Sequence, residues 1–228
     1  MTDQEEFRDK MRKLILLGDS TCASKKKEAR PETGWGEAFF QFLSPSWILC
    51  NNAFNGYSTV SCLKSGVFSR SLLDSKEGDS VIIQFGHNDQ KTDERGTLPF
   101  EGYVANLKYM ATEFKKRGVS VYFITSVPRR IFENGRLVDT HKDYIAGMKY
   151  AGYLSNVPVI DITLPLMLDL TLSGEEESKK YYMNFSPNFY PNYPDGKEDN
   201  THLRPEGALW VSRTIYDSLK KLNPDFLC

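Results

Sequence analysis

The sequence predicts an α/β fold: a parallel sheet of about five strands covered by helices on both faces. Three observations predict it. Short runs of apolar and β-branched residues recur along the chain, each of the length and character of a strand buried on both sides. Stretches with apolar residues at helical spacing lie between them. Strand and helix alternate about five times, which favours parallel strands joined by helical crossovers.

Taken in order, residues 2–12 read as a short amphipathic helix feeding a first strand at 13–17, whose Leu14-Ile15-Leu16-Leu17 run stops at Gly18-Asp19-Ser20-Thr21. A basic loop, Lys25-Lys26-Lys27, follows and reads as a solvated face. Trp35 to Phe42 is expected to be helical, 47–50 to be a second strand, and 58–74 to contain a helix. Ser80-Val81-Ile82-Ile83-Gln84-Phe85 is a third buried strand, ended by Gly86. The helix predicted over 99–117 carries Tyr103, Leu107 and Met110 on one face and ends in Lys115, Lys116, Arg117 and Gly118. Residues 119–124 form the fourth strand, a helix is expected near 140–154, and 157–161 form a fifth strand whose Pro158 suits a sheet edge. Residues 173–199 stand out as a long connection without clear secondary structure, rich in aromatic residues, Asn and Pro. The last helix is expected over 205–221, with Pro205 at its start and Leu209, Val211, Ile215 and Leu219 at helical spacing. No linker divides the chain, so 1–228 is expected to form one domain, with 173–199 as an irregular insertion.

The totals exclude several classes. Charged residues make up 26% and the net charge is -1, so nothing favours a nucleic-acid or membrane surface. No apolar run approaches a membrane span. The acidic N-terminus, Met1-Thr2-Asp3-Gln4-Glu5-Glu6, is unlike a secretory signal, and Cys22, Cys50, Cys62 and Cys228 form no CxxC pair or zinc spacing. A cytoplasmic protein with reduced thiols is the expectation, a Cys50–Cys62 disulfide being the lesser alternative.

Four short stretches carry the chemistry. Ser20 follows the first strand, Asn55-Gly56-Tyr57-Ser58 the second and Gly86-His87-Asn88-Asp89 the third, while Asp199-Asn200-Thr201-His202 precedes the final helix. Carboxyl ends of parallel strands converge at one rim, where such sheets bind ligands. A serine hydroxyl needs a base to become a nucleophile. His202 can be that base, Asp199 can hold its other ring nitrogen, and the backbone N–H groups of Ser20 and Gly56 with the Asn88 amide can donate to a developing oxyanion. Each residue has a plainer role when taken singly. Ser20 can cap a following helix, Gly56 and Asn88 can be turn residues, and Asp199 can N-cap the last helix with His202 idle on the surface. His87 and Asp89 beside His202 raise a metal site, but no pair has zinc spacing, so no metal is expected. No G-x-S-x-G elbow, P-loop or dinucleotide fingerprint is present.

The four stretches together resemble the SGNH (GDSL-like) hydrolase superfamily, with Ser20, Gly56, Asn88 and His202 at its namesake positions. The nearest likeness is to rhamnogalacturonan acetylesterase-type carbohydrate esterases, through Gly34-Trp35-Gly36, Ile83 to Gln90, Pro128-Arg129-Arg130 with Phe132, and the run from Asp199 through Pro205-Glu206-Gly207-Ala208. The resemblance implies a three-layer, flavodoxin-like α/β/α fold, a Ser20–His202–Asp199 triad, oxyanion donors at Ser20, Gly56 and Asn88, and no cofactor. One departure is Tyr57, where relatives commonly carry Arg. The function expected is removal of O-acetyl groups from a carbohydrate, as a pectic oligosaccharide, through an acetyl-enzyme. The alternatives are a lipid-directed esterase or thioesterase on the same triad and a catalytically silent glycan-binding protein. The aromatics of 173–199 (Tyr181, Phe185, Phe189, Tyr190, Tyr193) read equally well as a sugar platform and as a loop packed on itself.

Overall fold

The computed structural model describes residues 11–228. The helix predicted over 2–12 lies outside them apart from its last two residues, and Arg12 already belongs to the first strand. Five parallel strands form the sheet: β1 (Arg12–Gly18), β2 (Trp47–Asn51), β3 (Ser80–Gln84), β4 (Ser120–Ile124) and the short β5 (Val159–Ile160). Their order is β2-β1-β3-β4-β5, so the chain reverses direction across the sheet between β1 and β3. Ligands of open α/β sheets bind at this switch point, beyond the carboxyl ends. β5 is an edge strand, consistent with Pro158, and Pro158 still contributes its carbonyl to the Phe123 N–H.

The two-sided burial follows from the period of the strand. Leu14, Leu16, Ile82 and Ile124 face one core with Trp35, Phe39, Val211 and Ile215. Ile15, Leu17, Val81, Ile83 and Phe123 face the other, with Leu107, Met110 and Phe114. Successive side chains of a strand point to opposite faces, so a continuous apolar run serves a sheet covered on both sides. Each such side chain removed fully from water contributes about 1.5–3 kcal/mol. The covering helices are α1 (Trp35–Ala38), α2 (Thr59–Lys64), α3 (Val67–Leu73), α4 (Gly102–Lys116), α5 (Asp143–Ser155), α6 (Thr163–Glu177) and α7 (Pro205–Leu219). This is the expected α/β/α arrangement.

Three elements differ from expectation. The helix predicted within 58–74 is two, because Gly66 at φ 80° starts α3 from a left-handed residue that no helix interior accepts. α6 is announced by no helical pattern: Leu164, Leu166, Leu168, Leu170 and Leu172 alternate with a period of two, the mark of a strand. Only Leu166 and Leu170, one turn apart, meet the core, while the other three lie exposed. Packing has overridden the pattern. The stretch 173–199 is correspondingly more regular than its composition implies. It holds the end of α6, a 3-10 turn at Ser178–Tyr181, the strand Tyr182–Phe185 and the start of its antiparallel partner Lys197–Leu203, leaving 186–196 as the connecting loop. The second strand, Lys-Glu-Asp-Asn-Thr-His-Leu, is too polar to read as a strand from its sequence.

Candidate active site

β1 ends at Gly18, and the next residues turn sharply, the N–H groups of Cys22 and Ala23 both donating to the Asp19 carbonyl. Ser20 lies on this turn. No helix follows it directly, since α1 begins at Trp35, so the helix-cap reading of Ser20 falls away. Asp19 is fully buried and shapes the turn: one carboxylate oxygen accepts from the Thr21 N–H (2.9 Å) and hydroxyl (2.8 Å), and the other meets His87 Nδ1 at 3.1 Å. Burial favours the neutral acid, but the charge of His87 and these hydrogen bonds outweigh it, so the Asp19 pKa lies below its ordinary value. Gly34-Trp35-Gly36 packs directly beneath. A Cβ on Gly34 would stand 2.2 Å from the Ala23 carbonyl oxygen, and Trp35 Nε1 donates to Gln84 at 3.2 Å.

The polar strand Lys197–Leu203 delivers the partners. His202 Nε2 lies 3.0 Å from Ser20 Oγ, and His202 Nδ1 lies 2.8 Å from Asp199 Oδ2. Asp199 Oδ1 accepts the N–H groups of Thr201 (2.9 Å) and His202 (3.0 Å). It therefore does not N-cap the last helix, a place taken by Arg204. Burial raises the Asp199 pKa, but the His202 hydrogen bond and charge and the two backbone donors prevail and hold it well below the carboxylate range. As a carboxylate it can only accept, which fixes the proton of neutral His202 on Nδ1 and leaves Nε2 free to accept from the Ser20 hydroxyl. Burial opposes charging of His202. The Asp199 hydrogen bond and charge outweigh it, and its pKa stands above the ordinary 6.5.

Gly56 sits at φ +77°, in the left-handed region that glycine adopts without strain, beyond the end of β2. Asn88 is buried, and its amide donates to the Tyr57 carbonyl at 2.9 Å, which ties the third stretch to the second and leaves its other N–H unused by that bond. Next to it, Asp89 accepts from the Thr59 N–H (3.0 Å) and hydroxyl (2.6 Å), while its second oxygen is buried without a partner. Burial pushes its carboxyl up to about 7. All four stretches thus converge on the rim of β1, β2 and β3. His87 is committed to Asp19 and packs edge-on to His141 (4.4 Å), and no group of three or more His, Cys, Asp or Glu among the described residues is set to hold a metal ion. All four cysteines are free.

Two contributions escaped the sequence reading. Lys25, expected on a solvated face with Lys26 and Lys27, is buried, whereas those two are exposed. Arg130 reaches Ser178 Oγ (3.0 Å), Asn200 Oδ1 (2.6 Å) and the Glu175 carbonyl, so it pins Asn200, the residue after Asp199, to the end of α6. Nothing in a lone Lys or Arg marks it as buried, because that depends on which distant carbonyls surround it. The aromatics of the insertion pack on one another and on α7: the Phe185 ring lies 4.8 Å from Tyr190 and 5.6 Å from Tyr193, and Tyr181 stacks on Trp210 at 4.5 Å. The tip docks through Asn192 on the Lys27 and Arg30 carbonyls, which favours the packing reading over a platform. A cleft of about 540 Å³ flanks the loop that carries Gly56, lined by Asn55, Gly56, Tyr57, Ser61, Lys64 and Arg95. A larger one of about 720 Å³ lies against the outer hairpin and contains none of the four stretches' candidate residues.

The chain is 38% identical over 210 residues to a curated rhamnogalacturonan acetylesterase of Bacillus subtilis, RhgT, spanning 92% of this chain and 90% of the relative. The chain belongs to the rhamnogalacturonan acetylesterase family. Another curated member, from Emericella nidulans, is 26% identical over 223 residues, 87% of this chain and 81% of its own. No protein-family model matches. Among solved structures, the Bacillus subtilis protein YXIM superposes with a TM-score of 0.82 at 19% identity, over 95% of this chain and 58% of that one. An acetyl-xylooligosaccharide esterase variant from Geobacillus gives 0.61 at 19% identity, over 95% and 96%. These structures share the three-layer fold of this rhamnogalacturonan acetylesterase-family chain.

Proposed function

We propose that this chain is a serine esterase that removes O-acetyl groups from a carbohydrate, a rhamnogalacturonan-type pectic oligosaccharide, within a single SGNH domain. The observation that carries the chemistry is the continuous relay Asp199–His202–Ser20, with links of 2.8 and 3.0 Å. The acetyl specificity is supported by the 38% identical acetylesterase. Ser20 Oγ attacks the acetyl carbonyl carbon as its proton passes to His202 Nε2. The negative oxygen that forms is met by the N–H groups of Ser20 and Gly56 and by Asn88, donors each worth about 2.7–4 kcal/mol in comparable sites. Collapse expels the sugar oxygen, which takes the proton from His202 and leaves acetyl-Ser20. Water then attacks with His202 as base, releasing acetate and restoring the serine. The raised basicity of His202 and the depressed pKa of Asp199 suit this shuttle, since the imidazolium gains a fixed counter-charge. No helix among the described residues is long and apolar enough to cross a membrane.

The test is acetate release from acetylated pectic oligosaccharides by wild type and Ser20→Ala, with decanoyl esters as competitors and an organophosphonate as a label for Ser20. Wild type is expected to release acetate and take up the label. Ser20→Ala is expected to fold and do neither. Preference for the decanoyl ester would move the reading to a lipid esterase, and an unlabelled serine would move it to a binding protein.

A further inference from the structure

Lys25 brings a positive charge to a place where its side chain is 1% exposed. Its ammonium donates to the Ser20 carbonyl at 2.6 Å and to Asn55 Oδ1 at 2.7 Å, and forms an ion pair with Glu32 Oε1 at 2.7 Å. Glu32 balances the charge. The other two partners belong to the proposed chemistry, one being the carbonyl of the candidate nucleophile and the other the side chain immediately before Gly56.

The geometry of an oxyanion hole is unforgiving, because its donors must already point to where charge will develop. Gly56 gives the second-stretch loop a left-handed turn but also the freedom to leave it, so its N–H needs an outside restraint. Between the β1 and β2 loops the backbone supplies Phe54 N–H to the Gly18 carbonyl at 3.1 Å, two residues short of Gly56. We propose that Lys25 is a positioning residue: its ammonium clamps the Ser20 turn to the Asn55–Gly56 segment and so sets the Gly56 N–H against the Ser20 N–H. This rests on the esterase reading above. The pair also acts on the base electrostatically: Glu32 raises the His202 pKa and Lys25 lowers it, each by less than Asp199 raises it.

The experiment compares Asn55→Ala, Lys25→Met/Glu32→Gln and the triple variant with wild type in steady-state hydrolysis of 4-nitrophenyl acetate and an acetylated oligosaccharide. Changing Lys25 and Glu32 together avoids an unpaired, partly buried carboxylate. Asn55 is exposed, so its truncation removes the clamp without threatening the fold. Asn55→Ala and the double variant are each expected to lose about 10- to 100-fold in kcat with KM within about twofold, and the triple variant to lose no more than the double, because both changes cut one linkage. Wild-type kcat in Asn55→Ala, a loss confined to KM, or losses that multiply in the triple variant would each overturn the clamp. If the double variant fails to fold, Asn55→Ala decides alone. A wild type inert toward every acetyl ester would sink the esterase reading itself, and the clamp with it.

Discussion

Replacing Asp199 by Asn should be more damaging than replacing it by Ala, and the structure says why. The Asp199 side chain plays two parts: Oδ1 accepts two backbone N–H groups while Oδ2 accepts from His202 Nδ1 at 2.8 Å. An Asn must keep its oxygen on the two backbone donors, which turns its NH₂ toward His202. That NH₂ can only donate, so Nδ1 becomes an acceptor, the ring proton moves to Nε2, and the ring can no longer accept from Ser20. Both variants lose the counter-charge to the imidazolium. Unit charges about 4 Å apart at an effective dielectric of about 20 gain about 4 kcal/mol, or roughly three decades in rate. Asn adds the cost of the wrong tautomer, about one further decade, so a fall of about 10⁴ in kcat is expected against about 10³ for Ala. Initial rates with 4-nitrophenyl acetate, with folding checked by circular dichroism, measure both. Greater activity in Asp199→Asn than in Asp199→Ala would refute the tautomer argument.

The pH dependence follows from the same pair. His202 must be neutral to accept a proton and its pKa is raised, so the acid limb of kcat/KM is expected above pH 6.5, and in Asp199→Ala to move to lower pH. Asp89, with its folded pKa raised to about 7 from 3.8, contributes stability that is fully present below about pH 3.8 and lost as pH rises toward 7. Asp89→Asn keeps an oxygen for Thr59 without the buried charge, so thermal melts of the variant should lose much of that decline; an unchanged slope would count against burial as its cause. Gly34→Ala places a methyl 2.2 Å from the Ala23 carbonyl, and a loss of about 1–3 kcal/mol is expected in urea titration, accompanied by slower labelling of Ser20. Arg130→Leu removes the anchor of Asn200 and should lower kcat more than it raises KM, Asp199 and His202 being displaced while the cleft beside Gly56 is left intact.

The sheet was legible because its causes are local. Leu14 to Leu17 and Val81 to Ile83 are apolar without interruption, and a strand covered on both faces can be little else. Four stretches at strand ends and before the last helix named Ser20, Gly56, Asn88 and the Asp199–His202 pair for the same reason, since chemistry restricts which residue types can do acyl transfer. Other features depended on neighbours far away in the chain. The Leu164–Leu172 alternation became a helix because only two of its leucines meet the core. Lys25 and Arg130 changed from ordinary cations into buried anchors because a Ser20 carbonyl, an Asn55 amide and an Asn200 side chain happen to surround them. Ser20 and His202 lie 182 positions apart, and their 3.0 Å approach is decided by strand register and by a polar hairpin that no periodicity reveals. Residue type therefore settled which groups could react, and the packing of distant segments settled which of them meet.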